Sequence, residues 1–107
     1  MLYVTFRYTL HIRKMIFSFK CSHTKELWEK GKNKKIPSEL QRGALRKLWQ
    51  LNNADELKDL AAPPNNRLEP LKHERMGQHS IRINNQWRLC FVWEDGHAHH
   101  VEIIDYH

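Results

Sequence analysis

The chain ends on three residues that can each donate, accept or stabilise protons: Asp105, Tyr106 and His107. They directly follow residues 101–104, a run whose β-branched residues are typical of a strand. A chain terminus is usually disordered unless something holds it. We therefore expect the last strand of the fold to deliver an acid, a phenol and an imidazole to a defined place.

RNA cleavage is a reaction that these residue types can support without a metal ion. RNA carries its own nucleophile, the 2′-hydroxyl group, so the protein needs a base, an acid and cations that stabilise the phosphorane. His, Tyr, Lys and carboxylates can supply these roles. Strand alternation allows Lys72, Arg82 and Arg88 to converge near the chain end, where three cations would suit developing negative charge.

Other chemistries lack the residue spacing that they need. His97, His99 and His100 lie close in sequence, but no HExxH motif or Cys/His ligand spacing is present, so we expect no native metal site. The four glycines are scattered and form no phosphate-binding loop. Neither Cys21 nor Cys90 is marked as a nucleophile by its neighbours, and we expect no cofactor.

Charge is distributed unevenly along the 107 residues, a length that fits one domain. Residues 1–51 hold 12 Lys/Arg against 3 Asp/Glu, whereas residues 52–107 hold 6 against 9. The basic half predicts contact with a polyanion such as nucleic acid or the ribosome, with Lys34, Lys35 and Arg46 as candidate phosphate ligands. The alternative is a solvated surface that only maintains solubility.

The cellular compartment is indicated by the cysteines and by hydropathy. Two distant cysteines outside any CxxC motif fit a reducing cytoplasm, and no apolar run approaches the length that spans a membrane.

The N-terminal half predicts strand, helix, helix. Residues 1–14 alternate like a strand and are interpreted as an extension outside the core, which would begin with the strand-like run 15–19. A short helix capped by Ser22 or Thr24 should end at Gly31, and a second should begin at Pro37 with a capping box. The box would pair Ser38 with Gln41, and the exposed basic face would carry Arg42, Arg46 and Lys47.

The C-terminal half changes to a period of two. A turn is expected over 55–60 and an irregular loop over 61–66, and strands are expected over 67–71, 78–83, 86–93 and 99–106. The whole is an α+β domain in which a two-helix hairpin packs on a twisted, mainly antiparallel sheet.

Several segments together resemble the HigB group of the RelE/ParE toxin superfamily. They are LEPLK at 68–72, GQHSIRIN at 77–84, QWRLCF at 86–91 and VEIIDYH at 101–107, with support from PPNNRL at 63–68 and MIFSF at 15–19. The resemblance covers residues 15–107 and implies a microbial RNase-like RelE fold with an N-terminal strand. It also implies a type II toxin that cuts messenger RNA on the ribosome without metal, and a helix-turn-helix antitoxin of the HigA type.

The resemblance also implies roles for individual residues. Lys72, Asp105, Tyr106 and His107 match active-site positions of the HigB pattern, and Arg88 matches its strand arginine. Tyr106 or His107 would transfer protons, Lys72 and Arg88 would stabilise the phosphate, and Asp105 would orient its neighbours.

One position departs from the pattern, and two other functions stay open. Some HigB proteins have histidine where this chain has Glu69, which would be either a base or a structural residue. A non-nucleolytic inhibitor such as a gyrase poison is the main alternative function. A degenerate member that only binds its antitoxin is the other.

Overall fold

Two helices pack on a four-stranded antiparallel sheet, which confirms the predicted α+β architecture. The computed structural model describes residues 16–106. Helix α1 spans Ser22–Lys30 and α2 spans Ser38–Asn53, and short 3-10 turns occupy Leu57–Ala61, Pro64–Asn66 and His73–Arg75. The strands are β1 (Glu69–Pro70), β2 (His79–Arg82), β3 (Trp87–Glu94) and β4 (His97–Asp105), hydrogen-bonded in the order β1-β2-β3-β4.

Three predictions fall outside the described residues: the extension at 1–14, the start of the core at Met15, and the catalytic role of His107. Within residues 16–106, every helix is too short or too polar to cross a lipid bilayer.

The core forms where the apolar stripe of α2 faces the apolar side of the sheet. Apolar side chains of α2 recur at helical spacing and are buried against the apolar face of β2, β3 and β4. The buried set includes Leu40, Ala44, Leu48, Leu51, Ile81, Leu89, Phe91 and Val101. This packing places both helices on one side of the sheet and leaves the other side for polar residues.

The helices begin without the predicted side-chain caps. Cys21 and Pro37 precede the two helices, and neither helix has a side-chain cap hydrogen bond. Gln41 instead donates from Nε2 to the carbonyl oxygens of Asn33 (2.6 Å) and Ile36 (2.8 Å), closing the loop between the helices. Thr24 is buried, and its hydroxyl accepts a hydrogen bond from the β4 backbone, which explains why it does not cap α1.

The strand predicted at 15–19 is reduced to one parallel bridge between Phe19 and Val101. The Ser18 carbonyl accepts a hydrogen bond from Val101 N (3.1 Å), and the Ser18 hydroxyl accepts one from His100 N (2.9 Å). His100 has φ 53°, in the left-handed region, and the β3–β4 register shifts nearby. The segment pairs with β4 on both sides of this irregularity, because Phe17 N donates to Ala98 O at 2.8 Å and Lys20 N donates to Val101 O at 3.0 Å.

Lys47 was predicted on the exposed basic face of α2, and that prediction is wrong. Its side chain is buried, with 7% exposed, and its Nζ donates to Asn66 Oδ1 at 2.5 Å. Burial lowers the pKa of Lys47, and the positive charge of Arg46 lowers it further. Asn66 is fully buried and also donates from Nδ2 to Gln50 Oε1 and to the carbonyl oxygens of Leu60 and Ala62. The Asn66 side chain therefore ties the loop at 61–66 to Lys47 and Gln50 of α2.

We expect Asn66→Ala to lower the free energy of unfolding by about 2–4 kcal/mol, because it leaves several buried polar groups unsatisfied. Asn65→Ala is the matched control, since Asn65 is exposed, and its effect should stay within about 0.5 kcal/mol. Urea unfolding of both variants measures the difference. Equal midpoints for the two variants would contradict the role assigned to Asn66.

Candidate active site

The side of the sheet away from the helices carries charged and polar side chains. Strand register aligns Glu69 with Ser80, Ser80 with Cys90, and Cys90 with Glu102. In the next row, Arg82 is opposite Arg88, which is opposite Ile104. We call this set, Glu69, Ser80, Arg82, Arg88, Cys90 and Glu102, the polar face.

Arg88 is held in a fixed position on the polar face. Its side chain is only 11% exposed, and Nη1 forms an ion pair with Glu69 Oε1 at 3.0 Å. Nη2 donates to the carbonyl oxygen of Arg67 at 2.5 Å and more weakly to that of Asn66 at 3.4 Å. Its Cζ lies 5.6 Å from the ring centroid of Tyr106, in cation–π range. The guanidinium therefore joins a loop, a strand and the end of β4.

Tyr106 is 40% exposed, and its position is set by the end of the β3–β4 hairpin. Its backbone N donates to the carbonyl oxygen of Gln86 at 2.6 Å. Gln86 Nε2 in turn donates to Asp105 at 3.1 Å from each carboxylate oxygen. Asp105 is in register with Trp87, so it lies on the helix side of the sheet. Its contacts stabilise the segment that carries Tyr106.

Tyr106 lines two neighbouring hollows. The first, of about 210 Å³, we call the arginine hollow; its other walls are Arg67, Arg82, Asn84, Asn85 and Arg88. The second, of about 510 Å³, we call the lysine hollow; its other walls are Lys20, Lys72, Glu74, Arg75 and Gln78. An exposed phenol thus stands between two groups of cations.

The turn that carries Lys72 is tied to β4 by a buried carboxylate. Glu102 Oε2 accepts from Arg75 Nη1 at 3.2 Å and forms a second ion pair with Lys20 Nζ at 3.6 Å. Arg75 belongs to the 3-10 turn that begins immediately after Lys72. Sequence reasoning did not select Lys20, Arg75 or Glu102, although a charged residue inside a β-branched strand was a usable signal.

The predicted site residues separate into two groups. Lys72, Arg82, Arg88 and Tyr106 all line one or both hollows, and Glu69 joins them through Arg88. The Lys72 ammonium is exposed and has no hydrogen-bond or salt-bridge partner in the part of the chain that the structure describes.

The other predicted phosphate ligands, Lys34, Lys35 and Arg46, are not among the residues that line either hollow. Lys34 lines a separate groove of about 630 Å³ between the helices, and Arg46 is exposed on α2. These three cations lie on a helix or on the loop between the helices, and none of them belongs to the polar face.

Cys90 lies in the centre of the polar face but is not built as a nucleophile. It is fully buried, and burial raises the pKa of its thiol to about 11. A thiol with this pKa is protonated at neutral pH and unreactive. Between residues 16 and 106, no three or more His, Cys, Asp and Glu side chains group so that they could hold a metal ion.

A family model described as the RelE-like toxin of the type II toxin-antitoxin system HigB matches residues 17–107. The class is therefore the toxin component of a type II toxin–antitoxin system, which acts together with an antitoxin. Within that class, the chain belongs to the HigB-like toxin family.

Two curated relatives agree with this assignment. Toxin HigB-1 of Vibrio cholerae is 40% identical over 85 residues, which cover 78% of this chain and 90% of that protein. Endoribonuclease HigB of Proteus vulgaris is 33% identical over 93 residues, which cover 87% of this chain and all of the relative. A solved structure, the YoeB–YefM complex from Staphylococcus aureus, aligns with a TM-score of 0.49 at 20% identity, over 86% of this chain and 97% of the matched chain.

We expect a thiol-specific alkylating reagent to modify Cys21 rapidly in the folded protein and to leave Cys90 unmodified at neutral pH. Cys21 is partly exposed and Cys90 is buried, so the chain contains its own control. Both should react after unfolding, as measured by mass spectrometry. Since the unfolded thiol ionises near 9.0 and the folded one near 11, the Cys90 thiol should also lower the free energy of unfolding as pH rises between these values. Rapid native labelling of Cys90 would contradict the burial.

Proposed function

We propose that this HigB-family toxin cleaves messenger RNA on the ribosome, without a metal ion, by directing the 2′-hydroxyl of the RNA at the adjacent phosphate. The observation that carries the proposal is the exposed Tyr106 phenol between the fixed Arg88 guanidinium and the unpartnered Lys72 ammonium. Its relative from Proteus vulgaris, which aligns over its full length, is named an endoribonuclease.

In this reaction the 2′-oxygen attacks phosphorus and the bond to the 5′-oxygen of the next nucleotide breaks. One product ends in a 2′,3′-cyclic phosphate and the other begins with a 5′-hydroxyl. Tyr106 or His107 takes the 2′ proton or protonates the leaving oxygen. Lys72 and Arg88 stabilise the negative charge of the phosphorane, as cations placed in advance of the reaction do.

Glu69 and Asp105 have supporting roles in this proposal. The Glu69 carboxylate pairs with Arg88, so the repulsion that a carboxylate would exert on a phosphate is offset by its own ion pair. Because Arg88 is paired with Glu69, Lys72 is the cation beside Tyr106 whose positive charge is less neutralised by a carboxylate. Asp105 holds Gln86, whose carbonyl oxygen fixes the backbone of Tyr106.

We propose that the ribosome contacts exposed cations outside the polar face. Lys34, Lys35 and Arg46 lie in the basic half of the chain, and phosphate contacts of this kind add affinity without sequence preference. The proposed antitoxin is of the HigA helix-turn-helix type, and the proposed location is the cytoplasm, where ribosomes are found. Residues 1–14 are proposed as an extension of a toxin domain at 15–107.

The alternative of a gyrase poison is not favoured, since the relatives and the family model carry HigB names and one relative is named an endoribonuclease. A supercoiling assay distinguishes the two functions, because a gyrase poison accumulates cleaved DNA. Cleaved DNA with intact messenger RNA would replace the nuclease proposal with this alternative.

We expect Tyr106→Phe to slow cleavage of messenger RNA on programmed ribosomes by about 10²- to 10⁴-fold, the range for removing a proton-transfer group. The phenyl ring retains the contact with Arg88, so the loss reports on the hydroxyl group alone. Lys72→Ala should cost about 10²-fold or more, as expected for a group that stabilises transition-state charge.

Lys58→Ala is the matched control for Lys72→Ala, because Lys58 is exposed on the Leu57–Ala61 turn and, among residues 16–106, pairs only with Glu56. It should cleave at the wild-type rate. A chain that ends at Tyr106 tests His107 in the same assay. Wild-type activity of Tyr106→Phe together with the shortened chain would exclude both as proton-transfer groups, and intact messenger RNA with the wild-type toxin would exclude the nuclease.

A further inference from the structure

Arg67 has a backbone conformation that is unusual for a residue with a side chain. Its φ is 47°, in the left-handed region, at the residue that follows the Pro64–Asn66 turn. Its N–H closes that turn by donating to Pro64 O at 3.1 Å, and its carbonyl oxygen accepts from Arg88. Such conformations cost energy and concentrate at functional sites. The Arg67 side chain is consequently presented from a backbone fixed on both sides.

The three arginines of the arginine hollow differ in how far they are already paired. Arg88 is bound to Glu69 and to two carbonyl oxygens. Arg82 donates from Nε to Asn84 O at 3.1 Å and from Nη2 to Asn85 Oδ1. The Arg67 guanidinium has no hydrogen-bond or ion-pair partner among residues 16–106. The arginine hollow therefore contains one guanidinium whose N–H donors are all available to a ligand and two guanidinium groups that are already hydrogen-bonded.

The size and charge of the arginine hollow indicate which kind of ligand it binds. Its volume of about 210 Å³ is below the roughly 300 Å³ at which pockets for drug-sized ligands begin, and no carboxylate is among its lining residues. Guanidinium groups bind phosphate oxygens in a bidentate manner, and the planar fork favours phosphate over a spherical anion. A single phosphodiester group matches these features.

We propose that the arginine hollow binds the RNA phosphate next to the one that is cleaved, with Arg67 and Arg82 as its ligands. This inference rests on the proposed nuclease function and adds a second phosphate subsite to it. Tyr106 is a wall of both hollows, so a strand that places its scissile phosphate at Tyr106 brings an adjacent phosphate to the arginines. The subsite would fix the register of the RNA relative to Tyr106.

The test combines a protein variant with a change in the RNA. Ribosomes are programmed with messenger RNA in which one phosphodiester flanking the cleaved bond, on the 5′ or the 3′ side, is replaced by a neutral methylphosphonate. Arg67→Asn removes the guanidinium and keeps a residue that tolerates the left-handed region, and Arg67→Lys retains the charge. Single-turnover cleavage rates are measured at subsaturating toxin for each combination.

We expect Arg67→Asn to lower the apparent second-order rate constant about tenfold on unmodified messenger RNA, the effect of losing one charge-assisted hydrogen bond. Neutralising one of the two flanking phosphates should cause a similar loss with the wild-type protein. On that modified RNA, Arg67→Asn should cause no further loss, and Arg67→Lys should lie between the two on unmodified RNA. Arg42→Asn, on the exposed side of α2, is the control, since any loss it causes should be equal on both RNAs.

Equal losses for Arg67→Asn on modified and unmodified RNA, for both flanking positions, would overturn the subsite. An Arg67→Asn rate equal to wild type would do the same. These outcomes differ from failure of the nuclease proposal, in which the wild-type protein would leave the unmodified messenger RNA intact.

Discussion

The ion pair between Arg88 and Glu69 is the interaction on which the rest of the site depends. A guanidinium that is almost completely withdrawn from water is costly unless it is paired, and the half-exposed Glu69 carboxylate supplies that pairing. Glu69 lies on β1, a strand of only two residues, and Arg88 lies on the long central strand β3. The Arg67 carbonyl oxygen supplies a further acceptor. One side chain thus fixes a short edge strand, the preceding loop and the ring of Tyr106.

The same requirement explains why the two sides of the sheet differ. The helices cover the apolar side of the sheet and remove it from water. The other side buries charges, which must be paired with groups of the sheet and of its adjoining turns. Glu102 also joins separate elements through ion pairs, since it is buried and connects β4 to Arg75 and Lys20. Cations held by such pairs are positioned before any substrate arrives, so little reorganisation is needed when negative charge develops. A small toxin of the HigB-like family can in this way provide a charged site without a metal or cofactor in the proposed reaction.

The sequence predicted the elements well and the contacts between them poorly. Helical spacing in α2 and alternation in β3 are local patterns, and both elements were found within a few residues of the predicted bounds. The same reasoning wrongly predicted that Lys47 is exposed, because its partner Asn66 is 19 residues away and no local pattern encodes that pairing. The Arg88–Glu69 pair has the same separation. Family resemblance selected Lys72 and Tyr106, but their placement in the walls of the same hollow required the folded chain.

In the proposed reaction, this site activates the RNA's own 2′-hydroxyl group. The most direct measurement uses programmed ribosomes and compares messenger RNA with an otherwise identical RNA in which the nucleotide 5′ of the cut lacks only that hydroxyl. We expect cleavage of the first RNA, with a 2′,3′-cyclic or 3′-phosphate end and a 5′-hydroxyl end, and no cleavage of the second at that position. Equal cleavage of both RNAs, with 5′-phosphate ends, would contradict it.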